Sequence, residues 1–212
     1  MSSPARAWSE AWNERRSRRE IVLTTIAMVA VLAILARFLD WVERRPGVVL
    51  ADPVLAAIQP QDVSWITFGL IYAGIVTGVI VLLPHPSRLM LGLQSYVLMM
   101  LMRIVAMSVT PLEAPPGMIA LHDPLVQVFS SGQPLTRDLF FSGHTSTMCL
   151  LTLVAPGRRT RAFFLGCTAV VGSCVLWQHV HYTVDVLVAP LFAFAAQAIV
   201  SRLHARARAQ PR

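Results

Sequence analysis

Three ionisable side chains interrupt otherwise apolar stretches of this 212-residue sequence: His144, His181 and Asp185. His181 and Asp185 are four apart, so on a helix they share one face. A carboxylate so placed accepts a hydrogen bond from one imidazole nitrogen, fixes the tautomer, and leaves the other nitrogen as a nucleophile or base. His144 follows Ser142 and Gly143. Glycine lets a backbone come close to a ligand, and the first turn of a helix presents unpaired N–H groups suited to a phosphate. Two histidines, a carboxylate and an anion-cradling helix start are the parts of an in-line displacement at phosphorus, in which one histidine attacks and the other protonates the leaving oxygen. Two other readings use the same residues. Polar side chains among apolar helices also serve as hydrogen-bonded packing residues, and two histidines with a carboxylate can hold a transition metal. His179 is a poor co-ligand for His181, because residues two apart on a helix face roughly opposite ways.

The elements that must bring these residues together are transmembrane helices. Apolar residues make up 55% of the chain and charged residues only 14%, against about 25% charged in ordinary globular domains. Charge-free stretches long enough for a bilayer core of about 20 residues per helix set the spans. The first is 21–36, continuing towards Trp41; the second has 63–83 as its body; the third runs over 89–109 and contains Arg103; the fourth occupies 139–157. Residues 162–201 carry one formal charge, Asp185, and are read as two helices with a tight turn at 178–182. The expectation is an all-α, six-span bundle with both termini on one side. All 18 cations are arginine. Assigning the termini to the cytoplasm puts thirteen of them inside (five in the arm, one at Arg88, three at Arg158, Arg159 and Arg161, four in the tail) and three outside, at Arg44, Arg45 and Arg137. That asymmetry follows the positive-inside rule. The fourth span then runs inward from His144, and the sixth starts outside at His181 and Asp185, so topology delivers all three to one leaflet. A channel or transporter, the reading from another class, would spread its polar groups over several depths.

The expected division is an Arg-rich arm at 1–20, a six-span catalytic domain at 21–201 and an Arg-rich tail at 202–212. Trp8 and Trp12 lie on one face of the arm, which suits a helix on the inner membrane surface. Ser17-Arg18-Arg19 before an apolar run weakly resembles a twin-arginine export signal, but no cleavage site follows, and topological anchoring is the better reading. The outer loops, 44–62 and 110–138, are rich in proline, which excludes regular helix there. The three cysteines sit inside apolar runs and read as packing residues. A net charge of +7 would suggest nucleic acid in a soluble protein; here the arginines flank membrane spans, and no polar surface is left to carry such a partner.

Asp138-Leu-Phe-Phe-Ser-Gly-His-Thr145 and His181-Tyr-Thr-Val-Asp185-Val186 resemble the two signature motifs of the sphingomyelin synthase family, a branch of the type 2 phosphatidate phosphatase superfamily. Weaker similarity extends upstream through Arg103, Val109-Thr-Pro-Leu-Glu-Ala-Pro115 and Pro60-Gln-Asp62. The resemblance implies His181 as nucleophile, Asp185 as the group that orients it, and His144 as acid and base on the leaving and entering oxygens. It implicates two further carboxylates, matched here by Asp138 and, more loosely, by Glu113. Ser142, Gly143, Thr145, Tyr182, Arg137 and Arg103 are the candidate substrate-binding residues. No metal or other cofactor is implied. The phosphatase branch carries a Lys-to-Arg-Pro motif and a Ser-Arg pair ahead of its second histidine; this chain has no lysine and has Cys174-Val175 at that pair, which favours the transferase branch. The implied activity is transfer of a phosphocholine-, phosphoethanolamine- or phosphoglycerol-type headgroup from a phospholipid to a hydroxyl of a ceramide- or diacylglycerol-type lipid, with a lipid phosphate phosphatase as the alternative. The short all-arginine chain fits a bacterial inner-membrane protein with a periplasmic site.

Overall fold

The computed structural model describes residues 3–121 and 135–209. Among them the chain forms eight helices: α1 Pro4–Asn13, α2 Arg15–Glu43, α3 Pro53–Ala56, α4 Ser64–Leu82, α5 Pro86–Val109, α6 Gly143–Val154, α7 Arg158–Trp177 and α8 Thr183–Ala209. Five of them (α2, α4, α5, α7 and α8) are long and apolar enough to cross a membrane. The expected multi-pass, all-α architecture is what the structure shows. The turn between the last two spans falls at 178–182 as expected.

The fourth expected span differs. Residues 139–157 are helical only over the 12 residues of α6, a rise of about 18 Å, short of a hydrocarbon core of about 30 Å. Its start is delayed by the backbone. Phe140 has φ +95°, a conformation that L side chains rarely adopt, and Ser142 stays extended so that its hydroxyl accepts the Thr145 N–H at 3.3 Å. Leu139 and Phe141 therefore enter the core as non-helical, bent chain, both fully buried. At the other end Pro156 and Gly157, with φ +74°, turn the chain into α7. α2 begins at Arg15, within the arm expected at 1–20, and α8 continues beyond 201 to Ala209.

The short α6 is the centre of the bundle, packed against α4, α5, α7 and α8. Small residues let its neighbours come close. A Cβ at Gly74 or Gly78 of α4 would lie 2.7 Å from the Met148 sulfur or 2.8 Å from a Leu151 methyl. Ala189, Ala193 and Ala196 form a fully buried stripe on α8. α2 packs on α5 at the edge and leaves Val22, Ile26 and Val29 exposed.

One end of the bundle holds both described chain ends. The Trp8 indole N–H donates to the Leu83 carbonyl at 2.7 Å, and Arg16 donates to the Ala207 carbonyl at 2.7 Å. At the opposite end the loops are stitched together. The Val48 N–H donates to the Pro111 carbonyl and the Glu113 N–H to the Val48 carbonyl, both at 3.0 Å. Gly47 is obligatory there, since a Cβ would sit 2.4 Å from the Leu112 carbonyl carbon. Proline does not exclude helix from 44–62 altogether: Pro53 occupies the first position of the one-turn α3, where its missing N–H costs nothing. Of the second expected loop, 122–134 lies outside the described residues, as do 210–212 of the tail with Arg212.

Candidate active site

Asp185 stands in the first turn of α8 and is completely buried. Its Oδ2 is 3.2 Å from His181 Nδ1 and accepts the Tyr182 N–H at 3.1 Å. A carboxylate only accepts, so Nδ1 carries the hydrogen and Nε2 is left with the lone pair. The turn before α8 positions this pair. The Val180 N–H donates to the Val175 carbonyl at 3.0 Å, and His179 takes φ +56°, which redirects the chain before His181.

The second histidine-bearing turn is joined to the first by backbone. The Ser142 N–H donates to the Asp185 carbonyl at 3.2 Å. Ser142 and Thr145 are buried and bonded to each other, hydroxyl to hydroxyl at 3.0 Å. His144, half-buried in the first turn of α6, meets the Phe68 ring of α4 edge-on, with centroids 6.2 Å apart at 86°.

Gly143 serves a close approach, and the approaching group is Arg103. A Cβ at 143 would fall 1.6 Å from Arg103 Nη1, so only glycine permits the guanidinium to lie on the start of α6. Arg103 is buried on α5 and lies over the Phe141 ring at 5.6 Å. Its Nη2 donates to Asp138 Oδ1 at 2.5 Å, and its Nε is buried without a hydrogen-bond partner among the described residues. Asp138 offsets the buried charge, and a guanidinium with one unbonded N–H beside the start of a helix suits a further anion.

Arg137 points elsewhere. Its Nε donates to Glu113 Oε2 at 2.8 Å and its Nη1 to the Glu43 carbonyl, while its backbone N–H donates to the Glu43 carboxylate at 3.1 Å. The Glu113 carboxyl is held below the usual range by the Gly47 N–H and the Arg137 guanidinium. Tyr182 is buried, with its hydroxyl donating to the Glu113 carbonyl at 3.0 Å and accepting the Leu50 N–H at 3.1 Å. The structure thus brings His144, His181, Asp185, Ser142, Gly143, Thr145, Arg103 and Asp138 to one junction. It sets Arg137, Glu113 and Tyr182 in the loop layer over that end.

Other residues that hold the site carry no motif in the sequence. Asp52 receives the Thr183 N–H at 2.6 Å and the Thr183 hydroxyl at 3.0 Å, anchoring the start of α8. Burial pushes the Asp52 carboxyl up, but the hydrogen bonds from Thr183, Leu55 and Val54 outweigh it and hold the group below the usual range. His179 has its two ring nitrogens 3.0 Å from the Pro116 carbonyl and 3.2 Å from the Ile58 carbonyl, bridging both loops. The Asp52-Pro53 pair signals a local cap, but its long-range partner leaves no local trace. Among the described residues no three His, Cys, Asp or Glu side chains converge as a metal site would require.

No curated protein matches the chain. Residues 137–201 match the family model described as PAP2 superfamily C-terminal, a segment that starts at Arg137 and takes in α6, α7 and most of α8. Because that segment contains both histidine-bearing turns, the match supports placing this chain with the type 2 phosphatidate phosphatase superfamily, and with it phosphatase or phosphotransferase chemistry on lipids.

Proposed function

We propose that the protein is a membrane phosphotransferase of the sphingomyelin synthase type, moving a phosphorylated headgroup between lipids through a phosphohistidine on His181. The observation that carries this reading is the 3.2 Å contact of His181 Nδ1 with the buried Asp185, which leaves Nε2 as the nucleophile. Nε2 attacks the donor phosphorus as the bond to the diacylglycerol oxygen breaks, and His144 gives that oxygen its proton. The acceptor hydroxyl then loses its proton to His144 and attacks the phosphohistidine, and the P–N bond breaks to restore His181. Asp185 holds the Nδ1 hydrogen and offsets the positive charge on the ring in both steps. Arg103 and the N–H groups at the start of α6 receive the phosphoryl oxygens: Arg103 is paired with Asp138 but keeps a buried Nε without a partner among the described residues, whereas Arg137 is held by both Glu113 and Glu43.

Transfer rather than hydrolysis is supported by the layer over the site. Tyr182, Glu113 and His179 tie loops 44–62 and 110–121 across this end of the bundle, which limits the access of bulk water. With the arginine asymmetry, the reading places both termini in the cytoplasm and the site on the periplasmic side of a bacterial inner membrane. The test is product analysis in mixed vesicles, using headgroup-labelled phosphatidylcholine, phosphatidylethanolamine or phosphatidylglycerol as donor and ceramide or diacylglycerol as acceptor. Label is expected mainly in the acceptor lipid. Free headgroup phosphate or inorganic phosphate as the main product would replace this reading with a lipid phosphatase.

A further inference from the structure

At the end of the bundle opposite His181 lies a cavity of about 760 Å3, within the usual range for ligand pockets. One wall is α1, pinned by Trp8 to the Leu83 carbonyl. On its floor a polar cluster joins three helices. The Gln94 amide donates to the Glu20 carboxylate at 3.0 Å and to the buried Thr24 hydroxyl at 2.9 Å, and His204 Nε2 lies 2.6 Å from Gln94 Oε1. The surrounding lining carries both signs of charge, Glu10 and Glu14 together with Arg16 and Arg19. A second space of about 240 Å3 shares Leu23, Thr24 and Gln94 with the first and continues between α2 and α5 past Ala27 and Val97. The lining therefore changes from charged residues in the first space to mostly apolar ones in the adjoining second.

That gradient has the form of an amphiphile, a polar head at the mouth and a chain in the groove. Guanidiniums suit a phosphate, and carboxylates suit an ammonium. A primary ammonium brings three N–H donors to those carboxylates, a quaternary ammonium brings none, and a glycerol headgroup brings only the phosphate. We propose that this cavity binds one phosphatidylethanolamine molecule from the leaflet on the side of the chain termini, as a site separate from the reacting lipids.

The experiment is native mass spectrometry of the full chain released from nanodiscs of equimolar dioleoyl phosphatidylethanolamine, phosphatidylcholine and phosphatidylglycerol. One phosphatidylethanolamine per chain should survive release, favoured over the other two by about tenfold or more. Ala27→Trp, which fills the groove, should remove it, with folding checked by thermal melting in the same nanodiscs. Glu10→Gln with Glu14→Gln, on the exposed rim, should erase the preference over phosphatidylcholine even if the tryptophan variant fails to fold. Equal retention of the three lipids by the wild type, retention unchanged in Ala27→Trp, or an unchanged preference in the double variant would each overturn the proposal. None of these outcomes bears on the transferase reading, which is decided by the labelled products.

Discussion

The 3.2 Å contact between His181 and Asp185 makes distinct predictions for each member of the site. Removing the nucleophile with His181→Ala should abolish both turnover and the acid-labile phosphoprotein seen with labelled donor. Asp185→Asn keeps the shape but no longer dictates the tautomer, and should lower kcat by about 10,000-fold, as in other triads. His144→Ala should cost about 100- to 10,000-fold, the usual worth of a general acid, while phosphoprotein still forms from a donor with a good leaving group. Single-turnover labelling against steady-state rate separates the three, and a His144→Ala labelling loss as large with the good-leaving-group donor as with the lipid donor would remove it from the acid role. The pairing of His181 with Asp185 was legible as i,i+4 spacing within a charge-poor run. The partners of Glu43, Asp52 and His179 were not, because each bond joins a loop to chain 90 or more residues away, or to another loop, without periodicity to mark it.

The decisive element is α6, a helix shorter than its apolar stretch because Phe140, at positive φ, and the extended Ser142 keep the chain out of helix. Sequence pattern reads the spans well where charge bounds them: 63–83 against Ser64–Leu82, and the turn at 178–182. It overextends the fourth span because hydropathy cannot distinguish buried non-helical chain from helix. The consequence of that bent entry is the seat for Arg103 on Gly143. Gly143→Ala should displace the guanidinium and lower kcat/KM by about 10–150-fold, the equivalent of a charge-assisted hydrogen bond of about 1.5–3 kcal/mol, without unfolding the bundle. Arg103→Gln should give a similar loss, and the double variant should be no worse than either single one. Additive losses would mean that Gly143 serves something other than the arginine.

For the whole molecule, the five tryptophans mark two levels. Trp41, Trp65 and Trp177 are exposed at the site end of α2, α4 and α7, where aromatic side chains settle at a membrane surface. Trp8 and Trp12 occupy the opposite end with most of the arginines. Reporter fusions after Arg159 and at the C-terminus should therefore behave as cytoplasmic, and a fusion near Gly117 as external. The reverse pattern would move the chemistry to the inner leaflet and exchange the sides of the two proposed lipid sites.

The packing of Gly172 against Thr145 sets the depth of the reaction. Trp177 is five residues beyond Gly172 on α7, a rise of about 7.5 Å, so the first turn of α6 lies below the tryptophan level. A lipid need not leave its monolayer to reach it. Under the proposed transfer, supply and removal are lateral, the relevant concentration is a surface mole fraction, and each transferred headgroup stays on the face where it was taken. Repeated turnover would alter the composition of one leaflet while the other kept its own, and the membrane would acquire its sidedness from the direction in which this chain was inserted.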